Sequence, residues 1–287
     1  PRRRARVRGL AAILARPGAP EDDRVRQMLE AAPHRGDQLD VRSIGACTIG
    51  ISDLDGRHEA TLAADDTLAL AFAGALDNAD DLAARFGSDP ERAALPAEVV
   101  LAAFRAIGTK APALLRGTYA CVITDGVRLW AFRDHVGLET VFYRREADAV
   151  YVASEAKQVL RGADVSPEPD LDTVEALFYG EPGDPRACAL RGVRRLVAAT
   201  LLTADLRSLD VSPYWDPEAL LETARLSPTE ATEQFRETFA QAITRMLTGR
   251  DVISLSGGVD SPPIAAYANR EYARRWDRPI PALSAVY

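Results

Sequence analysis

The sequence has almost no lysine, little cysteine and no long apolar run. Only Lys110 and Lys157 are lysines, so nearly all of the 35 basic side chains are arginines. The three cysteines, Cys47, Cys121 and Cys188, are far apart and have no metal-ligand spacing, which argues against a disulfide framework or a zinc site. No stretch reaches the roughly 18 to 20 apolar residues of a membrane span, and no basic, apolar leader is present. We therefore expect a cytoplasmic protein that does not enter a membrane.

The overall charge excludes a further class of function. The net charge of −7 argues against general nucleic-acid binding. The first eight residues, PRRRARVR, are nonetheless basic. They are interpreted either as a solvated arm or as a contact for an acidic partner peptide. The length of 287 residues leaves room for one large domain or two ordinary ones.

The apolar pattern up to about residue 210 predicts strands in groups and helices in groups. Strands are predicted at 6–16, 42–52 and 66–76 and in four short segments between 117 and 155, and helices at 21–32, 78–86, 97–108 and 171–179. Such grouping favours a layered α+β domain over a regular βαβ repeat. We place this domain at residues 1–210 and a proline-containing linker at 211–227.

Residues 228–287 have a different pattern. A long amphipathic helix is predicted at 228–249, with Phe235, Phe239, Ile243 and Met246 on one face. The segment DVISLS (251–256), a glycine loop, a helix to about Arg274 and IPALSAVY (280–287) then predict a β-loop-α-β unit.

The loop of that unit is the strongest candidate site. A strand that ends in Ser256-Gly257-Gly258 and turns into a helix lets backbone N–H groups approach an oxyanion. Asp260 would repel bare phosphate, so it is assigned as a ligand or anchor of Mg²⁺. No lysine is near, so this is not a Walker A loop. The alternative is a tight turn without a ligand.

Motifs in consistent order resemble the asparagine-synthetase-like ATP-pyrophosphatases. SLSGGVDS (254–261) is similar to their pyrophosphate-binding SGGxDS loop. Further similar segments are PHRGDQ (33–38), GTYACVITDG (117–126), LWAFRDHVGLETVFYRR (129–145), YVASEAKQVL (151–160) and PYW (213–215).

The resemblance implies a fold and a chemistry. It implies an α+β N-terminal αββα sandwich, like a class II glutamine amidotransferase of the N-terminal-nucleophile type, followed by the start of an α/β adenylating (PP-loop) domain. It implies ATP and Mg²⁺ as cofactors and a carboxylate activated as an acyl-adenylate that an amine then converts to an amide. The residues assigned to ATP are Leu255, Ser256, Gly257, Gly258, Val259, Asp260, Ser261 and Val286, with Asp260 assigned to the metal.

The glutamine-hydrolysing parts of the family pattern are missing. The family's nucleophilic Cys-Gly-Ile start reads RGLAA (8–12), so Arg8 stands in the place of the cysteine, and arginine is not a nucleophile. The F-N-G-E segment reads FAGA, with Ala73 replacing an oxyanion-stabilising Asn, and S-D-x-E reads LPAE, with Pro96 in the Asp position. We therefore expect no glutamine hydrolysis.

A ligase without glutaminase must take its amine from the substrate. Lasso peptide cyclases and β-lactam or carbapenam synthetases are such relatives, and the lasso cyclase is preferred because the first domain has lost several parts and the arm is basic. Ammonia-dependent asparagine synthesis and a non-catalytic binding homologue are the alternatives. The expected partners are a peptide or small carboxylate substrate and a precursor-peptide protease or leader-binding protein.

An adenylating domain of this family has more strands and helices after the second strand, which we place at IPALSAVY. We therefore expect the sequence to be an incomplete record of the protein. The catalytic residues beyond the loop are then expected in the remaining part and are not assigned.

Overall fold

The small apolar residues that follow Arg8 form the central strand of an antiparallel sheet. The computed structural model describes residues 8–16, 21–54, 61–87, 95–181, 183–221 and 226–284. Strand β1 (Gly9–Ala15) is buried along its whole length and pairs on one side with β3 (Cys47–Asp53) and on the other with β9 (Ala149–Ala153). A strand covered on both faces is expected to be a continuous apolar run, as this one is.

The described residues contain two six-stranded antiparallel sheets. The first has the order β10-β8-β9-β1-β3-β2 and the second β12-β11-β7-β6-β5-β4. The other bounds in the first sheet are β2 Gln38–Ile44, β8 Phe142–Arg145 and β10 Arg194–Arg195. The second sheet consists of β4 Leu62–Ala64, β5 Ala69–Leu76, β6 Gly117–Thr124, β7 Leu129–Arg133, β11 Thr200–Ala204 and β12 Leu209–Pro213.

Alternating side chains of the sheets divide the core into three parts. Leu10, Ala12 and Leu14 of β1 belong to the cluster that also contains side chains of the second sheet, whereas Ala11 and Ile13 pack with residues of helices. On the other side of the second sheet, Phe72 packs with residues of helix α3. The layers are therefore helix, sheet, sheet, helix, which confirms the predicted αββα sandwich.

In the described part of the chain before residue 217, four of the five helices begin and end close to the predicted positions, and the fifth, α4, was not predicted. Their bounds are α1 Asp22–Glu30, α2 Ala79–Phe86, α3 Pro96–Ile107, α4 Ala156–Ala163 and α5 Leu171–Tyr179, with 3₁₀ turns at Pro33–Arg35 and Gly108–Leu114. One prediction was wrong: 42–52 is not a single strand. It contains the hairpin turn between β2 and β3, where Gly45 has a φ of +56° and a side chain would meet the Gly126 carbonyl oxygen at 2.4 Å.

The chain divides into two compact units, Pro1–Asp216 and Pro217–Tyr287. The second contains a 3₁₀ turn at Glu218–Leu220, α6 Pro228–Met246, β13 Ile253–Ser254, α7 Ser261–Trp276 and β14 Ala282–Leu283. β13 and β14 are parallel, as the predicted β-loop-α-β unit requires. The assignment of this unit to an adenylating domain, and the domain limits predicted from sequence, stay predictions.

The predicted apolar face of α6 is only partly buried. Ile243 is buried, but Phe235 and Met246 are exposed. Phe239 contacts Tyr267 of α7, with ring centroids 5.5 Å apart. In the described part of this unit, α6 packs mainly against α7, which explains why part of its predicted apolar face is exposed. In the described part of the chain, no helix combines the length and apolar character needed to cross a membrane.

Candidate functional site

The start of β1 is the first candidate site, because the resemblance places a nucleophile there. Arg8 is 6% exposed, although it is a long charged side chain. Its side chain contacts the end of β3 in the first sheet and the end of β5 in the second. Its Nε lies 3.6 Å from Oδ2 of Asp53, which is 1% exposed, and its NH1 donates to the Gly74 carbonyl oxygen at 3.4 Å. The Arg8 guanidinium therefore lies between the end of β3 in the first sheet and the end of β5 in the second.

Close backbone packing leaves little further room at this point. A side chain on Gly9 would lie 2.6 Å from Ser52 Oγ, and one on Gly74, whose φ is +129°, would lie 2.1 Å from the Thr118 carbonyl oxygen. Ser154 Oγ accepts a hydrogen bond from the Leu10 N–H at 2.9 Å. The backbone around Arg8 is therefore closely packed.

A second arginine ties this site to helix α4. Arg35 donates through NH1 to the Arg8 carbonyl oxygen at 2.8 Å and through Nε to Oε1 of Glu155 at 2.5 Å. Glu155 is the N-cap of α4 and forms a capping box with Gln158. Its carboxylate also contacts His34 Nε2 at 2.7 Å and Lys157 Nζ at 3.2 Å. One carboxylate therefore joins the turn at 33–35, the start of β1 and the start of α4.

These contacts change the titration of Glu155. Burial alone would raise the pKa of its carboxyl, but hydrogen bonds from Arg35 and Lys157 outweigh burial and lower the pKa below 4.5. The stability that Glu155 provides is therefore present above the pKa of an unfolded glutamate. It is lost as the pH falls through the lower pKa of the folded state.

Replacing Glu155 by Gln is therefore expected to flatten the acid limb of the stability curve. The wild-type free energy of unfolding should fall more steeply than that of the variant as the pH drops below about 4.5. Denaturant titration between about pH 6 and pH 3 measures this. Glu168→Gln is the matched control, because Glu168 forms an exposed ion pair with Arg191. Equal slopes for wild type and Glu155→Gln would contradict the assignment.

The two other positions that depart from the family pattern have structural roles. Ala73 is buried in the core between the sheets. Pro96 occupies the first turn of α3, where its missing N–H is not needed. The methyl group of Ala73 offers no donor to an oxyanion, and Pro96 offers no carboxylate to an amine.

The second candidate site is the predicted loop in the second unit. The Leu255 N–H donates to the Leu283 carbonyl oxygen at 2.8 Å, which ends the β13–β14 pairing. Ser261 Oγ accepts from the Ser256 N–H at 2.9 Å and lies 3.0 Å from Ser256 Oγ. Ser256 Oγ in turn accepts from the Gly258 N–H at 3.3 Å. The two serines close the loop around Gly257, Gly258, Val259 and Asp260.

Several donors of this loop are free to bind a ligand. Within the described residues, the N–H groups of Gly257, Val259 and Asp260 have no acceptor. Neither Gly257 nor Gly258 has a positive φ, and a Cβ on Gly257 would meet nothing within 4 Å. Backbone conformation therefore does not require glycine at either position, and the space beside Gly257 is open. Helix α7 begins at Ser261 and adds its partial positive charge.

Asp260 precedes the first residue of α7 and is exposed. Its carboxylate makes no capping hydrogen bond, so both oxygens are available. In the described part of the chain, no group of three or more His, Cys, Asp or Glu residues could hold a metal. A magnesium ion here would thus need phosphate and water oxygens besides Asp260, which is its usual way of binding nucleotides.

The structure brings seven of the eight predicted binding residues together in this loop, from Leu255 to Ser261. Val286 lies outside the described residues. Pro262 and Pro263 lie in the first turn of α7 and remove two N–H groups that the loop could have used. The contacts of Arg8 with Asp53 and Gly74 were not predicted, since nothing in the sequence near Arg8 indicates partners 45 and 66 residues away.

Comparison with known proteins gives one matching family. Residues 7–215 match the family model of the glutamine amidotransferase domain. Asparagine synthetase [glutamine-hydrolyzing] 3 of Bacillus subtilis (strain 168) is 27% identical over 249 residues, which cover 83% of this chain and 40% of that protein. Carboxyethyl-arginine beta-lactam-synthase of Streptomyces clavuligerus is 27% identical over 203 residues, covering 69% and 37%. The chain thus spans about 40% of the length of the curated relatives it matches.

Two solved structures share the fold. Glutamine phosphoribosylpyrophosphate amidotransferase from B. subtilis, complexed with ADP and GMP, aligns over 96% of this chain and 65% of its own, with a TM-score of 0.51 and 17% identity. A second structure, of the allosteric regulatory enzyme of purine biosynthesis, aligns over 96% and 64% with a TM-score of 0.54 and 16% identity. At such low identity these likenesses show the fold alone.

Proposed function

The chain belongs to the glutamine amidotransferase domain family, and we propose that it is part of an ATP-dependent amide-forming ligase that does not hydrolyse glutamine. The similarity to an asparagine synthetase and a beta-lactam synthase supports the ligase. The contacts of the Arg8 side chain with Asp53 and Gly74 support the loss of glutaminase activity, and the proposal that glutamine is not hydrolysed rests on them.

The chemistry of the first site supports a scaffold role. A guanidinium cannot attack the amide of glutamine, and here it is hydrogen-bonded and ion-paired to buried groups. Ala73 gives an oxyanion no donor. The amine that ends in the amide would therefore come from the substrate itself or from free ammonia.

The donors of the second site fit a triphosphate with magnesium. Free N–H groups of Gly257, Val259 and Asp260 would bind phosphate oxygens, the hydroxyls of Ser256 and Ser261 would add donors, and the Asp260 carboxylate would hold Mg²⁺. ATP, as a substrate, would supply the activation: a carboxylate attacks its α-phosphorus, pyrophosphate leaves, and an amine displaces AMP. The share of this chain in that reaction is to position the phosphates and neutralise their charge.

We prefer a peptide substrate in which an amine closes a macrolactam on an acidic side chain, as in lasso peptide cyclases. The loss of several glutaminase parts and the basic residues 1–8 support this choice. A small-ring lactam is the second candidate, which the Streptomyces clavuligerus relative supports.

Three assays distinguish the proposed functions. The chain incubated with glutamine should release no glutamate above the buffer rate, and release would contradict the loss of glutaminase. Pyrophosphate release from ATP by the full-length protein should depend on an added carboxylate that also bears an amine, either a linear peptide or a small amino acid, and the substrate that responds identifies the class. Aspartate with ammonium tests asparagine synthesis. Binding of MgATP without turnover on any carboxylate would favour a non-catalytic homologue.

A further inference from the structure

Helix α5 has an apolar surface that the described residues of its own unit leave uncovered. None of its nine residues is buried. Leu171, Leu177, Phe178 and Tyr179 are each at least 65% exposed, and Phe178 reaches 82%. An isolated helix of this length is marginal in water, and contiguous exposed apolar side chains on one element indicate an interaction surface.

A cavity of about 600 Å³ lies beside this helix. Thr173, Ala176 and Leu177 form the α5 wall. The remaining lining comes from residues 183–185 and 187–190 and from Phe142, Ala156, Glu181 and Arg195, with Asp172 on the α5 side. Its size is that of a site that accepts a group as large as several side chains, and most of its lining is apolar.

The charges on the two walls have opposite sign. Asp172, Glu175 and Glu181 lie on α5 or directly after it, and within the described residues no cation is within ion-pair distance of them. The opposite side of the surface, residues 184–195, has four arginines and one acid, Asp184, whose carboxylate Arg186 and Arg194 share at 3.0 and 3.1 Å. Among the described side chains, the guanidinium of Arg195 contacts the ring of Phe142, 5.9 Å from the centroid.

We propose that this surface, which consists of α5, the cavity and residues 184–195, is the interface of a homodimer. A twofold axis places the same surface of two copies face to face. The acidic α5 wall of one copy then meets the arginine wall of the other, twice, and the exposed aromatic side chains at the end of α5 enter the cavity of the opposite copy. The surface is self-complementary in charge, as an isologous contact requires. This proposal does not depend on the proposed ligase activity.

Charge reversal on each wall tests the dimer. We expect the chain to show a concentration-dependent dimer in sedimentation velocity. Glu175→Arg with Glu181→Arg should weaken the dimer at least about tenfold, because arginines would face arginines. Arg194→Glu with Arg195→Glu should do the same through acidic pairs, while the Arg186–Asp184 ion pair is kept. An equimolar mixture of the two variants should restore a heterodimer, since both contacts are complementary again.

A matched control and an independent readout accompany this test. The control is the double variant Glu233→Arg with Glu237→Arg, at two exposed positions on α6. It changes the net charge as much as the double variant at Glu175 and Glu181, and it should leave the dimer intact. The reaction of Cys188, which lines the cavity, with a thiol reagent measures how accessible the cavity is. Cys47 and Cys121 do not interfere because both are buried. Burial raises the pKa of Cys47 to about 12 and that of Cys121 well above its usual value. The reaction of Cys188 with the reagent should slow as the protein concentration rises through the dimer range.

Three results would overturn the proposal. The first is a monomer at every concentration tested, and the second is a dimer that survives both reversals. The third is protection of Cys188 that does not change with concentration, which would show that the surface is covered within one chain. Far-UV circular dichroism and thermal unfolding of each variant confirm that it is folded before the comparison is made.

Discussion

Replacing Arg8 by alanine is expected to lower the free energy of unfolding of the first unit by about 3–5 kcal/mol. The substitution would leave the Asp53 carboxylate, which is 1% exposed, without the guanidinium 3.6 Å away. It would also remove the donor to the Gly74 carbonyl oxygen and open a space between the two sheets. Denaturant-induced unfolding followed by circular dichroism measures the loss.

Arg16 provides a control for Arg8 at the other end of the same strand. It pairs with Asp148 at 3.0 Å, but the two side chains are 72% and 64% exposed. Arg16→Ala is therefore expected to cost only about 0–1 kcal/mol. Adding Asp53→Asn to Arg8→Ala should recover part of the lost stability, since the buried charge is then removed as well. Equal losses for Arg8→Ala and Arg16→Ala would contradict a buried ion pair at the former nucleophile position.

Replacing Gly257 by valine is expected to reduce the affinity for MgATP by a factor of at least about 100 while leaving the protein folded. The backbone at Gly257 has no positive φ, and a Cβ there meets nothing within 4 Å. The loop itself therefore tolerates the side chain. The valine would occupy the open space beside the free N–H groups of Gly257 and Val259, where the proposed phosphates bind.

Gly183 gives the matched control for this substitution. It has no positive φ, and a side chain there also meets nothing within 4 Å, but it lies in the first unit. Gly183→Val should leave the affinity for MgATP unchanged; because Gly183 lines the cavity beside α5, the melting temperature is not part of this control. If Gly257→Val binds MgATP as tightly as the wild type, the phosphates do not lie against this part of the backbone.

Local patterns in the sequence predicted most elements of the first unit. β1 and α3 were predictable because their apolar residues recur at the spacing of a buried strand and of an amphipathic helix. The hairpin at Gly45 was missed because apolar and small residues continue through the turn without the usual turn sequence. Its position is set by contact with Gly126, which is far away in the chain.

The candidate sites differ in how much of them could be predicted. The loop from Ser256 to Ser261 is contiguous, so its glycines and hydroxyls already indicate an anion site from the sequence alone. The surroundings of Arg8 come from β3, β5 and the turn at Pro33–Arg35, which are far apart in the sequence, and a sequence contains no direct signal for contacts of that kind. The sequence indicated that a nucleophile was missing there, and the structure shows that Arg8 contacts Asp53 and Gly74.

The most direct test of the account is calorimetric titration of the chain with ATP in the presence and absence of Mg²⁺, repeated with Asp260→Ala. We predict that binding requires Mg²⁺ and that the variant binds at least about tenfold more weakly, since it lacks the carboxylate assigned to the metal. A chain that shows no affinity for ATP with Mg²⁺ present, or that binds it equally well without Asp260, would contradict the proposed nucleotide site and with it the assignment as an ATP-dependent ligase.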